Sequence, residues 1–283
     1  MNLTDYNQIK DLLSRHGFRF SKSMGQNFLT AAWVPEKIAE SACLDENTAV
    51  LEVGPGIGCL TVELSRRAGK VLSVELDRSL MPILSETLAG CENTEVLFAD
   101  VLKIDLDSIV NQDFASFRPV VCANLPYNVT SPVLTKLVTS EKFDSVTVMI
   151  QREVARRICA GPGDKDYSAF GILLQWYTTP EILFDVPPSC FVPQPKVTSS
   201  VIRLTRREQR PVTVQDEAQM FSLVRAAFNQ RRKTLVNALS SALPRLEKET
   251  LEKAVVSCGF DSRIRGEALS MADFARLSDQ IGK

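Results

Sequence analysis

The chain has 283 residues, 45% of them hydrophobic and 24% charged, with a formal net charge of −1. That length allows one large domain and a small one, and the composition excludes a disordered or fibrous chain. No apolar run approaches a membrane span, and the first residues lack a secretory pattern, so a cytoplasmic protein is expected. Seven scattered cysteines without CxxC spacing and a single histidine, His16, argue against a metal centre or a histidine-based triad.

In chain order, residues 5–16 read as a short helix with Thr4 as a possible cap, ending at His16. Residues 18–29, rich in Phe, Ser and Lys, read as a loop suited to a flap over a ligand. A helix is expected over 35–42, then a buried strand over 48–53 running into Gly54-Pro55-Gly56-Ile57-Gly58. Leu60, Leu64 and Ala68 share one face, so a helix starts at Gly58. Strand, glycine turn and helix form the nucleotide-binding arrangement of a doubly wound sheet, although G-x-G-x-G is not the dinucleotide fingerprint and a bland tight turn would also fit.

The next strand, 70–75, ends at Glu75, about 20 positions after the first glycine, where a carboxylate can accept both hydroxyls of a ribose. Asp77 reads as the cap of a following helix over 78–88. A strand over 94–98 leads to Asp100, which could accept from an adenine amino group, and a strand over 119–123 leads to Asn124. Polar groups at successive carboxyl ends mark the ligand side of an open α/β sheet. The turn lacks a basic residue for a pyrophosphate, which favours S-adenosylmethionine among adenosine cofactors.

Asn124-Leu125-Pro126-Tyr127 then offers an amide oxygen, a stiff turn and an aromatic face. The Asn124 oxygen and the Leu125 carbonyl could hold the two hydrogens of an exocyclic amine while Tyr127 stacks on the base. An ordinary Asx-Pro turn remains the alternative.

A helix over 131–139, a strand over 145–150 and a helix over 151–160 continue the alternation. Strands over 181–186 and 197–204, joined through Pro187, Pro188, Pro193 and Pro195, fit an antiparallel hairpin closing the sheet edge. The stiff loop is expected to expose Phe191, as a stacking platform or as a core anchor. After the charged connector 205–211 the pattern is helical throughout, with Phe221, Val224, Phe228 and Leu235 in helical period. Residues 190–283 hold 16 Lys/Arg against 10 Asp/Glu, so the excess positive charge lies in the tail. Arg231-Arg232-Lys233 is its densest run; it can contact phosphate or pair with acidic residues.

These motifs together resemble the small-subunit ribosomal RNA adenine dimethyltransferase family (KsgA/RsmA type), over nearly the whole chain. The matching segments are Lys22 to Leu29, Glu52 to Gly58, Glu75, Asp100, Asn124 to Tyr127, Gln151 to Ala155, Phe191 to Val197 and a helical motif from Arg225 to Asn237. Tyr167-Ser168-Ala169-Phe170-Gly171 departs from the family pattern and leaves that loop's geometry open. The resemblance implies that Asn27, Leu29, Gly54, Glu75, Asp100 and Asn124 contact S-adenosylmethionine, and that Asn124 to Tyr127 and Phe191 hold the target adenine.

The expected fold is α/β: a Rossmann-like class I methyltransferase sheet with a small all-helical C-terminal domain. The expected division is a catalytic domain over 1–207 and a helical RNA-binding domain over 208–283. The expected activity is dimethylation of the 6-amino group of adjacent adenosines in small-subunit ribosomal RNA, within a pre-ribosomal particle, by a metal-free monomer. The rival readings are a large-subunit methyltransferase of the macrolide-resistance kind and a non-catalytic assembly factor.

Overall fold

A computed structural model describes residues 1–18, 26–244 and 246–281. The chain forms two compact units. The larger comprises Met1–Ala155 and Thr178–Arg206, the smaller Arg156–Tyr177 and Arg207–Lys283.

The larger unit opens with α1 (Tyr6–Arg15), capped by Asp5, whose side chain accepts from the Gln8 N–H; Thr4 is not the cap. A two-residue strand β1 (Phe28–Leu29) leads to α2 (Trp33–Ser41). Then come β2 (Thr48–Val53), α3 (Cys59–Ser65), β3 (Lys70–Glu75), α4 (Met81–Thr87), β4 (Thr94–Phe98), the single turn α5 (Leu106–Ser108), β5 (Arg118–Asn124), α6 (Thr130–Thr139) and β6 (Ser145–Gln151). The chain leaves this unit within α7 (Arg152–Cys159) and, after α8 (Ala169–Tyr177), re-enters it as β7 (Thr178–Val186), β8 (Phe191–Val192) and β9 (Ser199–Arg206).

Seven strands form one sheet in the order β4-β3-β2-β5-β6-β9-β7. The first five are parallel; β9 runs antiparallel to both β6 and β7. The hairpin read from the proline-rich connection is therefore the closing edge of the sheet, with β9 inserted between β6 and β7. β2 is buried at every position, as a central parallel strand must be. β1 and β8 form a separate antiparallel pair, with Leu29 opposite Phe191.

The smaller unit is helical: α8, α9 (Glu217–Asn229), α10 (Leu235–Ala242), α11 (Lys248–Ser257) and α12 (Met271–Ile281). Two expectations fail there. The division at 207/208 omitted residues 156–177, which belong to this unit because Tyr167, Ile172 and Trp176 bury themselves among Phe221, Val224, Leu239 and Phe274. The motif from Arg225 to Asn237 is not one helix. α9 stops at Asn229, and Thr234 starts α10 by accepting from the Asn237 N–H. In the departure at 167–171, Tyr167 is buried, and the Ser168 hydroxyl accepts from the Gly171 N–H. Gly171 must be glycine, since a Cβ there would stand 2.4 Å from the Arg157 carbonyl oxygen.

Candidate active site

Because β4, β3, β2 and β5 are parallel neighbours, their carboxyl ends open on one side of the sheet. A cavity of about 220 Å³ lies there, lined by Asn27, Leu29, Gly54, Glu75, Asp100, the whole of Asn124 to Tyr127, and Phe191. Residues spread over more than 160 positions of sequence thus meet at one cavity, through strand ends and the short β1–β8 ladder. Lys22 to Gly25, and with them much of the expected flap, lie outside the described residues.

The floor is the glycine turn. Gly54, Gly56 and Gly58 have φ of +70°, +60° and +91°, left-handed values that other residues adopt at a cost. The Gly54 N–H donates to the Val74 carbonyl, tying the end of β2 to β3. At Gly56 a Cβ would stand 3.3 Å from the Phe28 ring, so glycine lets that ring pack on the turn, and both residues line the cavity.

Two carboxylates stand behind the turn. Glu75 is buried; it accepts from the Asp77 N–H at 2.8 Å and the Gly56 N–H at 3.4 Å. Burial raises its pKa, against the pull of those N–H groups. Glu52, not singled out from the sequence as a site residue, lies opposite Ser73 in the sheet and also lines the cavity. Its Oε2 accepts from Thr61 Oγ1 at 2.7 Å and Ser73 Oγ at 2.6 Å, and burial pushes its pKa up to about 7. A charged residue inside the apolar run Ala49 to Val53 was the available signal. Asp100 accepts from the Leu102 N–H at 2.9 Å, which holds its carboxylate at the mouth of β4. Asp77 is the cap it was read to be, accepting from the Ser79 N–H and from Gln26 Nε2.

The Asn124 turn is pinned on both sides. The Leu125 N–H donates to the Met149 carbonyl, while the Pro126 carbonyl accepts from the Val129 N–H and Thr130 Oγ1. The Tyr127 hydroxyl lies 2.7 Å from Ser199 Oγ at the start of β9, and burial raises its pKa. A fixed hydroxyl holds the ring in place, a partner the sequence did not reveal. Phe191 corrects an expectation. It is only 3% exposed, because pairing with Leu29 draws it into the cluster with Val34, Ile38 and Val186. It is a core anchor that also lines the cavity.

In the smaller unit the basic run divides. Arg231 donates to Glu267 Oε2 at 3.0 Å and to the Lys165 carbonyl, whereas Arg232 and Lys233 are exposed. Among the described residues no His, Cys, Asp or Glu cluster could hold a metal ion, and no helix is long and apolar enough to cross a membrane.

The family model described as ribosomal RNA adenine dimethylase matches residues 17–282. A ribosomal RNA small subunit methyltransferase A of Geobacillus thermodenitrificans is 47% identical over 276 residues, covering 96% of this chain and 94% of the relative. One of Clostridium perfringens is 47% identical over 285 residues, covering 99% and 98%. Among solved structures, a dimethyladenosine transferase from Plasmodium falciparum is 27% identical, with a TM-score of 0.70 and coverage of 88% of this chain and 95% of that one. The 23S rRNA methyltransferase ErmE is also 27% identical, with a TM-score of 0.68 and coverage of 90% and 100%.

Proposed function

The chain belongs to the ribosomal RNA adenine dimethylase family, and from that premise we propose that its cavity transfers methyl groups from S-adenosylmethionine to the 6-amino group of adjacent adenosines in small-subunit ribosomal RNA. The observation that carries this reading is the meeting of Glu75, Asp100 and the Asn124 turn at one cavity.

The residues present fit the cofactor. Gly54 and Gly56 bring backbone without side chains to the cavity wall, Glu75 offers a ribose its carboxylate, and Asp100 offers an acceptor to an adenine amine. S-adenosylmethionine supplies an already activated sulfonium methyl, so neither a metal nor a covalent enzyme intermediate is required.

The protein's own task is to bind, align and desolvate. The free amine of adenine is a weak nucleophile because its lone pair is delocalised into the ring. The Asn124 amide oxygen and the Leu125 carbonyl accept its hydrogens and return electron density to nitrogen. The proline ring and the two bonds to the Pro126 carbonyl keep those acceptors in place before the base arrives. Tyr127, held at Ser199, provides the stacking face. The amine loses its proton after attack, when it is cationic and acidic, so no strong base is needed. An adenine reaching such a cavity must be unpaired or flipped.

We assign phosphate contact to Arg232 and Lys233, and a structural part to Arg231, on the strength of their different environments. A monomer working in the cytoplasm on a pre-ribosomal particle, with a part in small-subunit biogenesis, is the setting this reading implies. The similarity to ErmE supports a second reading, a large-subunit substrate. The relatives named for the small subunit are nearly twice as identical over almost the full chain, which favours the first. Incubation with methyl-labelled S-adenosylmethionine and unmodified small or large subunits separates them. Label mapped to neighbouring adenosines of the small subunit is expected; label on large-subunit RNA alone, or on neither, rejects the reading.

A further inference from the structure

We propose that Trp33, Lys37 and Phe184 form a second stacking platform, for an unpaired nucleotide of the ribosomal RNA flanking the target adenosine; this rests on the RNA substrate read above. Trp33 begins α2 and is 42% exposed. Its ring centroid lies 6.1 Å from that of Phe184, at an interplanar angle of 52°. Lys37, one helical turn along α2, places its ammonium 4.4 Å from the centre of the Phe184 ring. Open aromatic surface beside a cation is the combination that holds single-stranded nucleic acid: the ring stacks on a base and the charge serves a phosphate.

Two features join this group to the site. Asn124 pairs with Met149, Met149 with Val201 and Val201 with Phe184, so Phe184 stands level with Asn124 across the sheet. Three strand spacings put it about 14 Å away, within reach of a nucleotide flanking a flipped base. Trp33 is also four residues beyond Leu29, which is paired to Phe191 at the cavity. The strand itself is adapted at this point. The register of β7 against β9 shifts between Ile182 and Phe184, and such a bulge re-aims the side chains around it.

Trp33 is one of two tryptophans; the other, Trp176, is buried. In the full-length Trp176→Phe variant, Trp33 alone reports. Titration with protein-free, in-vitro transcribed small-subunit RNA should quench its emission in step with complex formation followed by filter binding. Should Trp176→Phe fail to fold, the difference between wild-type and Trp33→Phe emission reads the same signal. Trp33→Ala combined with Phe184→Ala should weaken RNA binding roughly fivefold to a hundredfold and leave cofactor affinity unchanged. Silent Trp33 emission in a formed complex, with methyl transfer intact, overturns the platform alone. Weaker binding to the ribosomal particle, but not to protein-free RNA, would put a ribosomal protein on this surface and also overturn it. Failure of the wild-type protein to bind the protein-free RNA overturns the platform alone, whereas failure to methylate unmodified small subunits overturns the function reading, and the platform with it.

Discussion

The cavity of the larger unit and the basic surface of the smaller one use side chains in opposite ways. At the cavity, Glu75, Asp100 and Asn124 come from three strands, and parallel pairing brings them together whatever lies between them in sequence. In the smaller unit, Arg231, Arg232 and Lys233 are consecutive, and the fold separates their roles: one is tied to Glu267 and a carbonyl, two face solvent. Strand ends give a position a meaning that survives distance. A run in a turn between α9 and α10 carries no such guarantee, because each successive side chain points elsewhere.

If the cavity performs the chemistry, Asn124→Ala should cost about a hundredfold or more in turnover at saturating substrates, the scale of a lost preorganised hydrogen-bonding group. RNA affinity should change far less, and measuring both on one preparation checks the separation. A wild-type rate at saturation would remove the acceptor role.

Glu52 sharpens the comparison from the side of stability. Its pKa rises from 4.5 to about 7 on folding. A carboxyl group raised in this way stabilises the fold fully below about pH 4.5, and that contribution is lost as pH climbs through about 7. Glu52→Gln keeps an acceptor for Thr61 and Ser73 without the charge. It should match wild type in stability at pH 4 and exceed it at pH 8, by up to about 3 kcal/mol of unfolding free energy, read as a higher melting temperature. Parallel melting curves across that range would contradict a buried, ionising Glu52.

Glu75→Ala should weaken S-adenosylmethionine binding tenfold to a hundredfold, the worth of charge-assisted bonds of roughly 1.5–3 kcal/mol. Calorimetry on the folded variant reads this directly, and unchanged affinity would take Glu75 out of the cofactor site. Its removal also strips acceptors from the Asp77 and Gly56 N–H groups, so Glu75→Gln is the informative companion.

The smallest effects belong to the basic run, and they should differ in kind. Arg231→Ala should lower stability by about 1 kcal/mol, as loss of a half-exposed ion pair does, with the salt dependence of RNA binding preserved. Arg232→Ala with Lys233→Ala should leave the melting temperature alone and reduce the slope of log affinity against log salt by about one to two. A common outcome for all three residues would erase the distinction between them.

Much of the larger unit was legible because buried parallel strands are short, apolar and end in polar residues. β2 and β3 match their expected spans, and Glu75, Asp100 and Asn124 all reach the cavity. What escaped was settled between distant segments. Ser199 anchors Tyr127 from 72 positions away. Phe191 is buried by a two-residue pairing too short to carry a pattern. α8, Ala-Phe-Gly-Ile-Leu-Leu-Gln-Trp-Tyr, lacks a polar face because it is enclosed, so no helical period advertised it. Missing α8 also displaced the boundary between the units.

The central claim is that Asn124 and Leu125 select the exocyclic nitrogen of adenine. A time course of transfer from excess labelled S-adenosylmethionine to unmodified small subunits, with product nucleosides resolved by mass spectrometry, tests it most directly. The predicted result is a 6-monomethyladenosine that appears first and converts to 6-dimethyladenosine. Methyl groups on a ring nitrogen or a ribose oxygen would contradict it, as would a product that stops at one methyl.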